Sequence, residues 1–176
     1  MRSRAKAVNF GIVYGISDFS LSQDLKITRK EAAEYMEIYF DRYPKIKGYL
    51  ESVKEEAKEK GYVLTVLNRR RFIPEIKSSN KIVKALGERL AMNAPIQGSA
   101  ADIIKLAMVK VYNRIKKENL ESQMILQVHD ELILNVKENE LEIVKALVKE
   151  EMENVLKMSV TLEVDTNIGN TWYDAK

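Results

Sequence analysis

The 176-residue sequence contains no cysteine and a single histidine, His129. The first absence removes disulfides and thiolate metal sites, and the second removes any multi-histidine zinc site. No apolar run approaches the ~18 residues that suggest a membrane span, and no signal-peptide pattern is visible. The chain therefore reads as cytoplasmic, without a membrane partner. Internal repeats and low-complexity linkers are lacking too. Net charge is only +3, which by itself says little about nucleic acid. What is present is the composition of a soluble globular protein, 45% apolar and 31% charged. The length suits one domain or two intimate subdomains with enough chain for a core.

The distribution of charge says more than its sum. Residues 69–89 hold Arg69, Arg70, Arg71, Lys77, Lys81, Lys84 and Arg89 against Glu75 and Glu88. Residues 51–60 and 138–153 interleave acid and base, as solvated helix faces do. Basic charge is concentrated in the first half and the middle, where a phosphate-facing surface would need it.

At the start of the chain Arg2, Lys6, Phe10 and Tyr14 recur at every fourth residue. In a helix, four residues advance about 400°, a drift of only about 40° per step. The four side chains then form one ladder: guanidinium, ammonium, apolar ring, ring with a hydroxyl. Cations at a helix start oppose the dipole unless an anion binds there. A polyphosphate at Arg2 and Lys6 would bring an attached planar base to Phe10, so the pattern fits a nucleoside triphosphate lying along a helix. The plainer alternative is a surface helix with Phe10 in the core, and spacing alone does not separate the two.

Gly15 should end or bend this helix, and Ser17–Leu25 reads as a short second one. Thr28 and Glu31 form a capping box that opens a third helix, with Ala32, Tyr35, Met36, Tyr39 and Phe40 as its expected core stripe. Pro44 interrupts it, and a further helix runs to a cap at Gly61. Tyr62–Leu67 is strand-like, with Arg69–Pro74 as its return strand or an extended arm. The run Arg69–Arg71 suits phosphate contact and a generic basic patch equally. Residues 80–117 carry helical periodicity, with a break expected around Pro95 and Gly98.

Before that break Arg89, Asn93 and Gln97 repeat the four-residue spacing. Amides offer donor and acceptor together, which suits minor-groove base edges; buried or capping amides explain Asn93 and Gln97 as well. Further on, Met124–Val128 and Leu132–Val136 are β-branched-rich runs separated only by His129, Asp130 and Glu131, which predicts a tight hairpin. It thrusts two carboxylates out of an apolar sheet, a cost that a cation would offset. Mg²⁺, which prefers such oxygens, fits; so does an ordinary solvated turn. Residues 141–155 then form a helix with one apolar face, residues 159–164 alternate as a strand, and Trp172 and Tyr173 are expected to pin the end.

Three of these segments carry a resemblance. Arg2, Lys6, Asn9, Phe10, Gly11, Tyr14 and Gly15 closely resemble the fingers-helix motif of family A DNA polymerases. Glu88, Arg89, Asn93, Pro95, Gln97, Gly98, Ala100, Ala101 and Asp102 are similar to a second signature, and Gln127–Glu131 to the palm motif that carries a metal-binding aspartate. The resemblance covers essentially the whole chain. It implies an α+β fold: a mostly helical fingers-like part, residues 1–60, and a palm-like part, residues 61–176, with a small antiparallel sheet backed by helices. It further implies that Arg2 and Lys6 hold the triphosphate, Phe10 packs on the incoming nucleotide and Tyr14 occupies the template-base position. Phenylalanine at position 10 bears on tolerance of sugars lacking a 3′-hydroxyl. Arg89, Asn93 and Gln97 line the duplex, His129 lies near the primer terminus, and Asp130 is a metal ligand with Glu131 beside it. The implied partners are primer–template DNA, a deoxynucleoside triphosphate and Mg²⁺.

One departure matters. The family's other metal-binding aspartate belongs to an Asp-Tyr-Ser-Gln-Ile-Glu motif found upstream of these segments, and nothing like it occurs in the 176 residues. The expectation is a chain that carries polymerase parts, depends on an upstream palm and thumb portion, and is not competent alone. The alternative is a non-catalytic nucleotide- or nucleic-acid-binding module.

Overall fold

The structure, a computed structural model, describes residues 2–175 and their side chains apart from those of residues 2–4 and 7. The Arg2 side chain, assigned to phosphate above, thus lies outside the described residues. The chain divides into two compact units, Met1–Ser99 and Ala100–Lys176. The class is α+β and mainly helical, with two separate two-stranded antiparallel sheets.

In the first unit, α1 (Arg2–Val13) ends as its glycines dictate. Gly15 adopts φ of 74°. Its N–H donates to Ile12 O at 3.0 Å, and Ile16 N–H reaches back to Gly11 O at 2.8 Å, a Schellman closure. Ser17 caps α2 (Asp18–Leu25) by accepting from Ser20 N. The expected capping box opens α3 (Arg29–Arg42) at Thr28, where the Glu31 carboxylate accepts in return from the Thr28 N–H. The Thr28 hydroxyl and then the Thr28 N–H, both donating to the Glu31 carboxylate, hold that carboxyl below the usual carboxylate range. Pro44 starts α4 (Pro44–Lys60) at a position that needs no N–H, and Gly61, with φ of 76°, caps its end. Leu21, Leu25 and Ala32 bury against Val8, Ile16, Ile27 and Met36.

The aromatic stripe of α3 is not the core it was expected to be. Ala32 is the only buried residue of that helix, while Tyr35 is exposed and Tyr39 and Phe40 are half-buried. The rings gather instead at the α3–α4 corner, with Tyr39 and Tyr43 centroids 5.1 Å apart. The α3 face turned to its neighbours is narrow, so a small residue fills it and the rings pack on one another.

Strands β1 (Tyr62–Leu64) and β2 (Arg70–Phe72) pair with Val63 opposite Arg71. The longer strand expected here ends at Leu64, and Asn68, at φ of 60°, turns the chain back. A 3-10 turn at Pro74–Lys77 follows. Val53, Ala57, Val63, Ile73, Ile76 and Ala91 make the main core of this unit.

Helix α5 (Lys81–Lys117) is continuous, and the break expected at Pro95 and Gly98 does not occur. Pro95 forfeits one backbone bond, but it is buried beside Ala91 and Met92, so packing offsets the loss. Gly98 is there for closeness: a Cβ would lie 2.5 Å from Thr65 Cγ2. At the same place Ser99 Oγ accepts from Val66 N at 2.9 Å and Gly98 O accepts from the Arg69 guanidinium at 3.3 Å. These residues are the seat of the β1–β2 loop.

In the second unit β3 (Gln123–Val128) and β4 (Glu131–Asn135) form the expected hairpin, with a bulge at Ile125. Its inner residues Leu132, Leu134 and Val136 pack on Val111 and Ile115 of α5 and on Val144, Leu147 and Val148 of α6 (Leu141–Glu153). Lys110 Nζ donates to the Asn154 and Val155 carbonyls at 3.1 and 3.0 Å, closing the negative end of α6. Residues 159–164 form no ladder, contrary to expectation. The alternation is real, but among the described residues no neighbouring strand takes up its backbone groups, and the Val164 N–H donates to a Glu153 carboxylate instead. At the end of the chain, Tyr173 is 87% exposed and pins nothing. The Thr171 hydroxyl, donating to Asp174 at 2.6 Å, shapes that turn.

The open end of the hairpin is tied by Glu140, a buried carboxylate. It accepts from the Glu121 N–H at 3.0 Å, the Ser122 N–H at 2.9 Å and the Ser122 hydroxyl at 2.6 Å. The Glu121 N–H and then the Ser122 hydroxyl are the main reasons its carboxyl lies below the usual range. A depressed carboxyl stabilises the fold above its unfolded pKa, and that contribution disappears as pH falls through the folded value. We expect Glu140→Gln to melt lower than the parent at neutral pH and the gap to close below about pH 4. Melting temperatures of both proteins from pH 7 to 3 check this. A gap that is constant with pH contradicts it.

Candidate nucleotide and nucleic-acid interface

Lys6 and Phe10 on α1 and Tyr14, one residue past its end, form a contiguous row. The Lys6 ammonium lies 5.8 Å from the Phe10 ring centroid, and the Phe10 and Tyr14 rings stack at 6.2 Å with 29° between planes. Phe10 is 48% exposed, which excludes its reading as a core residue. No acidic residue occupies the first turn of α1. The helix therefore offers a cation and then the Phe10 ring to solvent, with the half-buried Tyr14 ring next in the row and the positive dipole at the cationic end. Among the described residues, no carboxylate pairs with Lys6. Such a face can grip an anion and stack a planar group beside it.

The end of this ladder meets the α5 row. A Cβ on Gly15 would lie 2.2 Å from Met92 Cε and 3.4 Å from Arg89 Cγ. Gly15 thus lets α5 approach the helix that carries Tyr14, and Met92 fills the space. Met92 was not anticipated, because a methionine at an apolar helix position carries no signal of its own. Arg89 and Gln97 are exposed, as a duplex-facing row requires. For Asn93, the satisfied-amide alternative does not hold: its Oδ1 is buried and has no hydrogen-bond partner among the described residues. A buried acceptor of that kind is stabilised by a donor from elsewhere.

The arginine run divides. Arg69 is bonded to Gly98 O, and the Arg70 guanidinium lies 4.9 Å over the Tyr62 ring. Two members of the patch therefore have intramolecular partners.

In the second unit, His129 and Asp130 make the two-residue hairpin loop, with Val128 opposite Glu131. His129 takes φ of 51°, and its carbonyl accepts from the Gln127 side-chain amide at 2.6 Å. Asp130 and Glu131 are exposed, and among the described residues no cation of the chain pairs with either. Two adjacent uncompensated carboxylates suit a hard divalent cation, which takes one or two carboxylates from protein and the rest of its oxygens from phosphate and water. Among the described residues, no group of three or more potential ligands forms a self-sufficient metal centre, and no helix is long and apolar enough to cross a membrane.

A family model described as DNA polymerase family A matches residues 1–174. DNA polymerase I of Caldicellulosiruptor bescii is 56% identical over 176 residues, covering 100% of this chain and 21% of that protein. DNA polymerase I of Geobacillus stearothermophilus is likewise 56% identical, over 100% of this chain and 20% of its own length. Among solved structures, the POL domain of Pol1 from M. smegmatis, in complex with DNA primer-template and dNTP, superposes with a TM-score of 0.95. It is 48% identical, over 99% of this chain and 31% of that one. The chain spans about a fifth of the length of these curated relatives.

Proposed function

This chain belongs to DNA polymerase family A, and from that premise we propose that it supplies the nucleotide-gripping helix, the duplex-facing row and one metal-binding hairpin of a DNA-directed DNA polymerase. The observation that supports the proposal is the Lys6–Phe10–Tyr14 row, an exposed cation, an exposed ring and a half-buried ring in succession, the order that phosphate, base and template would need. Lys6, with Arg2, holds the triphosphate of the incoming nucleotide. Phe10 packs on it, and Tyr14 occupies the template-base position. Arg89, Asn93 and Gln97 accept the minor groove of the primer–template duplex, and His129 lies at the primer terminus.

In the reaction the primer 3′-hydroxyl loses its proton to water and its oxygen attacks the α-phosphorus in line. A new O–P bond forms, and the bond to pyrophosphate breaks with its electron pair on the leaving oxygen. Lys6 neutralises the pyrophosphate charge. Asp130, with Glu131 beside it, would hold Mg²⁺, which when bound supplies neutralisation at the reacting phosphate oxygens. The hairpin provides one carboxylate cluster, so a paired metal clamp needs a second carboxylate from the upstream palm portion. On these 176 residues alone we expect no primer extension.

The test is a graft. Residues 1–174 replace the equivalent segment of the Geobacillus stearothermophilus DNA polymerase I, and extension of a primed template is measured with four deoxynucleotides and Mg²⁺. The graft should extend, and Asp130→Asn should lower its rate on the order of a thousandfold. A folded graft that binds duplex and nucleotide without extending would favour a non-catalytic binding module.

A further inference from the structure

Helix α1 carries the nucleotide ladder with little to hold it. Of its described side chains only Ile12 is buried, and Val8 and Val13 are half-buried. Among the described residues a single side-chain hydrogen bond leaves the helix: the Tyr39 hydroxyl donates to Asn9 Oδ1 at 2.8 Å. Tyr39 sits on α3, and its ring is wedged edge-on against Phe40 at 5.8 Å and tilted against Tyr43 at 5.1 Å. Tyr43 is the corner residue between α3 and α4, followed by Pro44 at the first position of α4. Desolvation, and then Tyr43, push the Tyr39 phenol pKa up, so the hydroxyl keeps its proton and remains a donor.

We propose that Tyr39 is a positioning residue for nucleotide binding, acting through Asn9; this rests on Lys6 and Phe10 gripping the triphosphate. Asn9 is one residue from Phe10 and three from Lys6, so it flanks the ladder on the helix surface. A bond at that flank resists rotation of α1 about its own axis. With side-chain tips ~6 Å from the axis, a 10° rotation moves them by about 1 Å, enough to spoil charge and stacking geometry. The proline corner holds Tyr43, Tyr43 holds the Tyr39 ring, and the hydroxyl sets the azimuth of the ladder. The apolar anchors of α1, Val8, Ile12 and Val13, cannot do this, because apolar contact is non-directional. Tyr39 therefore belongs to the nucleotide site without touching nucleotide.

The experiment is calorimetric titration of the whole chain with dATP and, separately, with deoxyadenosine. Tyr39→Phe keeps the ring and removes the hydroxyl. It should weaken dATP about three- to tenfold, with deoxyadenosine changing less than about twofold and the melting temperature nearly unmoved. Asn9→Ala should match it, and the double variant should be no weaker than either single variant. Unchanged dATP affinity in Tyr39→Phe, losses that multiply in the double variant, or equal losses for both ligands with lowered melting would each overturn the proposal. Lys6→Ala is run beside them. If it leaves dATP affinity intact, the phosphate assignment has failed, and the positioning role falls with it for that separate reason.

Discussion

Gly87→Ala is expected to destabilise the first unit by about 1–3 kcal/mol, although alanine is the better helix former by about 1 kcal/mol. Gly87 lies within α5, where it is buried. A Cβ there would stand 2.6 Å from Ile76 N and 2.8 Å from both Glu75 C and Ile76 Cα. Those are backbone atoms of the 3-10 turn, which cannot move aside as the tip of a flexible side chain can. The turn is also anchored on its far side. Ile73 donates to Gly61 O at 2.9 Å, and Ile73 and Ile76 are buried with Val53, Ala57, Val63 and Ala91. Making room means withdrawing the turn and opening that core. Gly48, in α4, is the matched control, because nothing lies within 4 Å of the Cβ it would gain. Gly48→Ala should stabilise by about 0.5–1 kcal/mol. Urea unfolding of the three proteins tests the pair, and equal gains at both sites would mean that the turn yields freely.

Lys6→Ala should weaken binding of a deoxynucleoside triphosphate by about ten- to a hundredfold, the worth of a charge-assisted phosphate contact. The corresponding nucleoside should bind within about twofold of the parent chain. The ammonium lies 5.8 Å from the Phe10 ring centroid, exposed and without a carboxylate partner among the described residues, so its removal leaves no orphaned group in the protein. Added salt should shrink the effect, since an exposed cation acts through a screened field. Phe10→Ala gives the reciprocal pattern: nucleoside and triphosphate both weaken, by a similar factor, because a stacking surface is lost. Equal losses of the two ligands in Lys6→Ala would remove phosphate from that end of the ladder.

Local chemistry was legible. The capping box at Thr28 and Glu31, the helix ends at Gly15 and Gly61, the proline start at Pro44 and the tight turn at His129–Asp130 each depend on a few neighbouring residues, and each formed as their chemistry required. The neighbourhood of Lys6 and Phe10 was legible for the same reason, because both lie on α1 and period alone brings them together. Distant packing was not. Pro95 and Gly98 read as a break because their local preferences are strong, yet the helix continues through them, with Val66 of the β1–β2 loop bonded to Ser99 beside them. Residues 159–164 read as a strand because alternation is local, whereas a strand needs a neighbour. Tyr39 read as core because spacing cannot say what lies opposite; a helix away, Asn9 was waiting for its hydroxyl.

The sequence by itself determined the family motifs, the order of helices and the residue types at positions 6, 10, 14 and 130. The tertiary structure alone decided that Met92 fills the space Gly15 leaves, that Asn93 keeps an open acceptor and that Tyr39 reaches Asn9. The division follows from range: hydrogen bonds and periodicities within a turn or two are set by adjacent residues, while a side chain's partner thirty residues away is chosen by how the helices pack.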